Sequence, residues 1–539
     1  MTERPRHTLE PAALATIRAD LRQATSGKAR LALMLDAREP GALVRGLPPD
    51  ELFFTIREIG LSDASELVRL ASARQFRTFL DLACWTGRKI EPRRALPWLR
   101  AARAGPLDDP RAAARWRAKL RALDHGMLAL VLRDALRVHD LDEDPDPYLE
   151  RDSFLETPDG HYIVEFLVDG AEYASVRGIV DDLYAEHTLN ATRLLSSLRW
   201  ETTSELEETE LRWRTARLAD LGYPALEEAL SWYARPPPRR ASWPGAPARS
   251  PGFWMDRVGA GSLLARAWAR LPPEEQGHLE LELVTAANAV MVADAIDPGN
   301  LQAVRRSVET ARAFVEMGLD EEAAHDEARA AEVLGETSVK ALFQRGFGRV
   351  LGLRFRAEHL LGRDEGALPA PSLDPPLSEA IAALSRRRPA YFPGLEAPRE
   401  TWGTAAAGAF EPRGFLSERE VSRTADALAL AEKLVALACR LKIVPERLEG
   451  PRPGLVALYL TALANERLGR RFSPHPIPAA DLPAAARALE RIDDPRLAAE
   501  GEPGEVLAGM AEARAAELAP LRDGAAPRPG LVSALIVGW

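Results

Sequence analysis

Cysteine is nearly absent from this chain. Only Cys84 and Cys439 occur among its 539 residues, each inside an apolar run. Two isolated cysteines exclude the disulfide framework of a small secreted protein, and no Cys-x-x-Cys pair is present for zinc binding or thiol exchange. We expect both side chains to behave as small buried hydrophobes.

Long apolar runs are missing as well. The longest nearly apolar stretch, 283–296, is too short to span a bilayer and includes Asn288 and Asp294. The first residues, MTERPRHTLEPAA, contain no apolar segment of the kind that a signal peptide requires. These features predict a cytoplasmic protein without membrane insertion.

The sequence also lacks every common catalytic or cofactor signature. It contains no GxxxxGK[ST], GxSxG or HExxH, and its nine histidines show neither HxH nor HxxxH spacing. We therefore predict no cofactor and name no catalytic residue, while an enzyme site of unfamiliar type stays open.

An excess of positive charge is absent too. The formal net charge is −10, and Arg is interleaved with Glu and Asp rather than gathered into a basic track. General nucleic-acid binding usually needs a basic domain or face, so this class is disfavoured. The chain is instead rich in Ala, Leu, Arg and Glu, which favour helix, and its 42 prolines predict many short breaks.

The apolar pattern predicts an all-α fold. Short amphipathic helices follow one another at a rhythm near 20 residues, each ended by Gly or Pro, which is typical of an irregular, solenoid-like helical stack. One interruption stands near 153–166, where two strand-like runs flank Pro158-Asp159-Gly160 and predict a β-hairpin inserted into the stack.

A proline-rich segment divides the predicted architecture. We expect a lead-in at 1–24, an N-terminal helical stack with the hairpin at 25–235, a linker at 236–252 and a second helical region at 253–539. The linker prediction rests on RPPPRRASWPGAPARSPG, whose prolines and glycines deny helix and strand alike. The second region has a possible subdivision near 366–400, where prolines again accumulate.

The densest mixture of Trp, Glu and Arg lies between Leu198 and Tyr233. Here Ser204 with Glu207 predicts a capped helix start, and Gly222 predicts the helix end. One interpretation is a solvated helix pair whose tryptophans, Trp200, Trp213 and Trp232, pack in a core.

The second interpretation of the same segment is a polar groove lined by charged side chains. The binding candidates that we take from it are Glu201, Glu205, Trp213, Arg214 and Arg217. Two further candidates interrupt apolar helical runs of the second region, namely Asn288 and Asp294. A buried polar residue needs a partner, so these two predict either hydrogen bonds between helices or a polar pocket between them.

Alternating aspartates form the sharpest local cluster. In HDLDEDPDPYLERD the residues Asp140, Asp142, Asp144 and Asp146 alternate as oxygen ligands for Ca²⁺ or Mg²⁺ often do. The pattern departs from an EF-hand because Pro145 occupies the required Gly position. The two readings are a divalent-metal site and an acidic surface loop.

Two resemblances follow from these segments. The rhythm LPPDELFFTIREIGLSDASELVRLAS, within residues 40–100 together with LDLACW, resembles the helical N-terminal regulatory domain of MgtE-type magnesium transporters. That resemblance implies a response to Mg²⁺ through acidic side chains. The whole chain more closely resembles a bacterial family of unknown function of about this length, which has similar LDLACW and RWE…RL.DLG.P segments; this resemblance implies no known activity.

Together these features predict a non-catalytic cytoplasmic scaffold or regulatory adaptor. It would bind another protein or a second copy of itself, since stacked helices offer long grooves and no reactive constellation is present. Two alternatives remain: a divalent-metal-responsive regulatory module, and an enzyme of unknown class with a polar pocket between helices. Whether it binds a small molecule is open.

Overall fold

The computed structural model describes residue 21 and residues 26–104, 109–234, 262–361, 372–444, 453–522 and 533–538. The predicted lead-in 1–24, apart from Leu21, and the whole predicted linker 236–252 lie outside these residues. The structure forms two compact units, Met1–Phe343 and Gln344–Trp539. The domain boundaries drawn from the sequence stay predictions.

Helices dominate both units, which confirms the all-α prediction. Those of the first unit are α1 (Gly27–Leu35), α2 (Pro40–Gly46), α3 (Pro49–Ile59), α4 (Ser65–Leu70), α5 (Ala73–Ala83), α6 (Ala95–Arg103), α7 (Pro110–Ala122), α8 (His125–Arg133), α9 (Gly170–Glu186), α10 (Thr188–Trp200), α11 (Thr203–Ala219), α12 (Leu226–Ser231), α13 (Leu263–Trp268), α14 (Pro273–Ala293), α15 (Leu301–Ala323) and α16 (Glu327–Glu336). Several begin with Pro in the first turn, where its missing N–H costs nothing.

The remaining helices continue to the end of the described chain. They are α17 (Val339–Leu360), α18 (Leu377–Leu384), α19 (Ala405–Gly408), α20 (Glu418–Arg440), α21 (Leu455–Arg467), α22 (Leu482–Ala488), α23 (Pro495–Ala498), α24 (Glu502–Ala516) and α25 (Ala519–Arg522). Short 3-10 turns occur at Pro92–Arg94, Pro393–Glu396, Arg399–Thr401 and Ala479–Asp481. Within the described ranges, no helix is both long and apolar enough to cross a membrane.

The predicted hairpin is present and is part of a larger sheet. Strands β4 (Phe154–Glu156) and β5 (Tyr162–Phe166) pair antiparallel around a turn in which Gly160 has φ +72°. A further strand, β3 (Leu136–Asp140), pairs antiparallel with the other edge of β5, in the order β3-β5-β4. Strand β3 was not predicted, because only residues 134–135 separate it from α8 and they include neither Gly nor Pro to mark a turn.

Other strands are very short. They are β1 (Trp85–Thr86) with β2 (Lys89–Ile90), and β6 (Ile477–Pro478) with β7 (Val537–Gly538). The core of the first unit is aromatic: Phe53 stacks on Trp98 with ring centroids 5.4 Å apart, and Phe79 lies 5.3 Å from the same Trp98. Such contacts each contribute about 0.5–1.5 kcal/mol beyond area burial.

The second unit has its own core around α20 and α21. Tyr391 and Phe415 are buried against each other, with ring centroids 5.7 Å apart. Asp374 is buried and accepts a hydrogen bond from the backbone N–H of Val456 at 2.8 Å; burial raises the pKa of this carboxyl to about 6. Cys84 is buried as expected, whereas Cys439 is exposed, because it lies near the end of α20 on the solvent side.

Candidate functional site

Helix α11 begins two residues earlier than the sequence predicts. The N-cap is Thr202 rather than Ser204: its hydroxyl accepts from the N–H of Glu205 at 3.4 Å and lies 2.8 Å from the Glu205 carboxylate. Thr and Ser are both good caps, so the position is chosen by where α10 ends at Trp200. The helix end is as predicted, since Gly222 has φ +82°.

The inner face of α11 carries arginines that converge on one aspartate. Arg217 donates to both carboxylate oxygens of Asp81 on α5, at 2.8 and 2.7 Å. Arg214, three residues before Arg217 on the same helix, donates from Nε to the backbone oxygen of Asp81 at 2.8 Å. Asp81 itself is buried. Two of the predicted binding residues are thus brought together, and they hold α11 against α5.

More charges complete this buried cluster. Arg217 also donates to Asp124, the residue before α8, at 3.1 Å, and Arg77 of α5 forms an ion pair with the same carboxylate. Glu210 is buried two helical turns before Arg217, with their charged atoms 3.9 Å apart. Helices α5, α8 and α11 are therefore joined by a connected set of opposite charges.

Burial dominates the electrostatics of the cluster. It lowers the pKa of Arg214 to about 10, although Asp81 acts in the opposite direction. Burial also raises the pKa of Glu210 against the influence of Arg217. The guanidinium of Arg214 lies over the ring of Trp85, 5.3 Å from its centroid, and Trp85 is buried. These contacts lie between α5, α8 and α11. The groove interpretation of Arg214 and Arg217 stays a prediction.

The remaining candidates of this segment lie elsewhere. Glu201 and Glu205 are exposed at the corner between α10 and α11. Trp232 is buried as predicted, but the core prediction is wrong for Trp200 and Trp213, whose exposed fractions are 65% and 58%. Trp200 is the last residue of its helix, and Trp213 is at the flank of the buried face of α11, so neighbouring helices cover neither ring.

Trp200 is nevertheless held in place. The Arg199 guanidinium lies over its ring, 4.8 Å from the centroid. Arg199 in turn donates to Asp140 at 2.8 Å and forms an ion pair with Glu143. The exposed tryptophan is thus fixed through an arginine to the loop that follows β3. We call Trp200, Arg199, Asp140 and Glu143 the Trp200 surface.

The acidic loop beside it is largely exposed. Asp142, Asp144 and Asp146 all face solvent. The carboxylates of Asp140 and Asp144 accept from backbone N–H groups two residues on, at 3.0 and 3.3 Å, as in Asx turns. Among the residues that the structure describes, no three His, Cys, Asp or Glu side chains are placed to hold a metal ion.

Asn288 and Asp294 contact the end of the Leu198–Tyr233 segment. The Asn288 amide donates to the backbone oxygen of Gly222 at 3.2 Å, and Asp294 accepts from the Tyr233 hydroxyl at 3.1 Å. Both residues therefore form hydrogen bonds between α14 and this segment.

Sequence reasoning missed the partners rather than the segment. Asp81, Asp124 and Arg199 were not among the candidates. Asp81 stands in LDLACW and Arg217 in RL.DLG.P, the two segments that carried the family resemblance, and they form one ion pair. The occurrence of both segments in the same family was the one sequence signal that Asp81 and Arg217 interact.

The fold and this cluster define a mostly α-helical protein of two compact units, with a buried charged cluster and an exposed tryptophan in the first. The chain belongs to a family of unknown function, DUF6178, whose model matches residues 7–525. This confirms the resemblance to a family of unknown function, whereas the transporter-domain resemblance has no support. No curated protein and no solved structure matches the chain.

Proposed function

We propose that the protein is a non-catalytic cytoplasmic adaptor that binds a positively charged segment of another protein at the Trp200 surface. The observation that carries the proposal is the exposure of Trp200 together with its fixation by Arg199. Tryptophan and arginine are the residues most enriched at binding hot spots. A ring that is already held loses little conformational freedom when a partner covers it.

The charge around Trp200 indicates the chemistry of the partner. The exposed Asp142, Asp144 and Asp146 continue the acidic surface beyond Asp140 and Glu143, and the whole chain has a net charge of −10. Complementary charge speeds encounter and selects partners more than it adds affinity. We therefore expect a segment with Lys or Arg flanking an apolar pocket for the indole ring.

The two alternatives have less support. A metal-responsive role would require the aspartates to converge, and Asp140 is instead bound to Arg199. Titration calorimetry with Mg²⁺ and Ca²⁺ tests it, and an absence of heat at millimolar metal would exclude it. An enzyme built on Asn288 and Asp294 would require these groups to act on a substrate, and both have protein partners.

The test is capture of partners from an extract of the native host by the immobilised full chain. Trp200→Ala should lose the captured protein, and raised salt should weaken capture because the contact is partly electrostatic. Trp213→Ala is the matched control, since it removes an equally exposed tryptophan from the neighbouring helix. Sedimentation over a range of concentrations distinguishes a second copy of this chain from a different protein.

Two results would contradict the adaptor proposal. One is capture of no specific protein by the unaltered chain, together with sedimentation as a monomer. The other is equal loss of capture in the Trp200 and Trp213 variants, which would remove Trp200 as the anchor.

A further inference from the structure

A cleft of about 710 Å³ opens in the first unit, away from the Trp200 surface. Its volume is in the range of sites that hold small molecules. The walls come from the end of α3, from α5, from the start of α6 and from the loop that leads into α15. The lining residues are Arg57, Leu61, Ala83, Arg94, Pro97, Trp98, Asp297, Gly299, Asn300 and Leu301.

The cleft contains two guanidinium groups whose charges are balanced differently. Arg94 is neutralised by Asp297 at 2.7 Å and by Glu91 at 2.9 Å. Arg57 donates to the backbone oxygen of Gly299 at 2.7 Å, and within the described residues no carboxylate lies at ion-pair distance from it. Its Nε has no hydrogen-bond partner there either. Arg57 therefore contributes a positive charge to the cleft without a direct ion-pair partner among the described residues.

The backbone near Arg57 reinforces this positive potential. Asn300 is the N-cap of the 23-residue helix α15, and its side chain accepts from the N–H of Ala303 at 3.1 Å. Asn300 and Leu301 both line the cleft, so the positive end of the helix dipole faces it. The dipole adds to the charge of Arg57 and would not define a site without it.

The rest of the lining is largely apolar. Leu61, Ala83 and Pro97 form part of the wall. Trp98 borders the cleft, but its ring is buried against Phe53 and Phe79. A bare inorganic anion would leave these groups in contact with water. A ligand with one anionic group and an apolar body satisfies both parts of the cleft.

We propose that this cleft binds a small organic anion, with its carboxylate or phosphate at Arg57 and its apolar body against Leu61 and Pro97. Arginine suits either anion because its planar fork donates two parallel hydrogen bonds. The proposal does not depend on the adaptor function, since the lining residues are distinct from those of the Trp200 surface.

Calorimetric titration of the full chain with benzoate and with phenyl phosphate tests the proposal and separates the two anions. Benzyl alcohol and inorganic phosphate are the matched probes that lack the charge and the apolar body, respectively. We expect saturable one-to-one binding of at least one aromatic anion. Both matched probes should bind about tenfold more weakly or worse, as expected for the loss of one charge-assisted contact or of the apolar contacts.

Three variants assign the binding to the cleft. Arg57→Leu should weaken binding of the aromatic anion by about tenfold or more. Arg305→Leu is the charge-matched control on α15: it pairs with Glu58 at 3.7 Å and does not line the cleft, so binding should stay within about twofold. Asp297→Asn should tighten binding severalfold, because it removes a carboxylate that lines the cleft and leaves Arg94 paired with Glu91 alone.

The gain expected for Asp297→Asn keeps the test decisive if Arg57→Leu fails to fold, because structural damage does not produce tighter binding. The proposal is overturned by any one of three results: no saturable binding of either aromatic anion by the unaltered chain, equal affinity for benzyl alcohol or inorganic phosphate, or equal losses in the Arg57 and Arg305 variants.

Discussion

The first unit uses one arrangement twice, in two different surroundings. In each case an arginine lies over a tryptophan ring and donates a hydrogen bond to an aspartate, through the backbone oxygen of Asp81 or the carboxylate of Asp140. Arg214 covers the buried Trp85 at 5.3 Å and donates to the backbone oxygen of Asp81, whose carboxylate binds Arg217. Arg199 covers the exposed Trp200 at 4.8 Å and is bound by carboxylates of the acidic loop. The two arrangements contain the same residue types but differ in their exposure to water.

Burial decides the role of each arrangement. At Asp81 the charges are removed from water, so each depends on its partners, and losing one leaves the others uncompensated. At Arg199 water and salt can replace a lost partner, and the interaction contributes little to stability. The same residue types therefore hold helices together at one position and leave an aromatic surface available at the other.

The largest expected effect is at the buried arrangement. Asp81→Ala should lower the free energy of unfolding by about 3–5 kcal/mol, because Arg217 loses its carboxylate partner and Arg214 loses a nearby compensating charge inside the protein. Urea denaturation followed by circular dichroism measures it. Asp81→Asn is the control: it retains oxygen and shape, and it should cost less. Equal, small effects of both substitutions would show that the cluster is not a core.

A smaller effect is expected at Glu210, and it depends on pH. Burial raises the pKa of this carboxyl above its ordinary value of 4.5, so the folded state binds its proton more tightly than the unfolded state does. The corresponding stability is present below pH 4.5 and is lost as the pH rises through the raised pKa. Glu210→Gln should flatten the dependence of stability on pH in that window.

The measurement for Glu210 is the melting temperature of both proteins at a series of pH values. The variant should gain stability relative to the unaltered chain as the pH increases above 4.5. Glu208→Gln is the matched control, because Glu208 lies on the exposed side of the same helix. A constant difference across the series would contradict the assigned role of Glu210.

The fold was largely predictable because its signals are local. Helix periodicity, the Pro158-Asp159-Gly160 turn and Gly222 each act through neighbouring residues. The choice of Thr202 over Ser204 as the cap was not predictable, since both suit the position and the end of the preceding helix decides between them.

The candidate sites were less predictable because they depend on distant partners. Arg217 and Asp81 are separated by 136 positions, and helix spacing does not tell which element an inward arginine meets. The exposure of Trp200 and Trp213 has the same origin: an aromatic residue is ordinarily covered, and only the arrangement of surrounding helices shows where cover is absent. The cleft at Arg57 likewise joins residues from four parts of the chain.

At the exposed arrangement, Arg199→Ala should change stability by less than about 1 kcal/mol, and the difference should shrink in high salt. The reason is that its carboxylate partners remain accessible to water once the arginine is removed. Paired urea denaturation series at low and high salt measure the effect. A loss as large as that of Asp81→Ala would erase the distinction between the two arrangements.

The smallest expected effect on stability is at Trp200 itself. Trp200→Ala should change the free energy of unfolding by no more than about 0.5 kcal/mol, because an exposed ring has little packing to lose. Substituting the buried Trp85 by Ala should cost about 3–5 kcal/mol, the usual range for a core aromatic residue. Urea denaturation of both variants gives the two values directly. An unfolded Trp200→Ala variant would show that the Trp200 ring belongs to the core, and its failure to capture the partner would then follow from unfolding. A stable variant that no longer captures the partner would show that the exposed arrangement serves recognition alone.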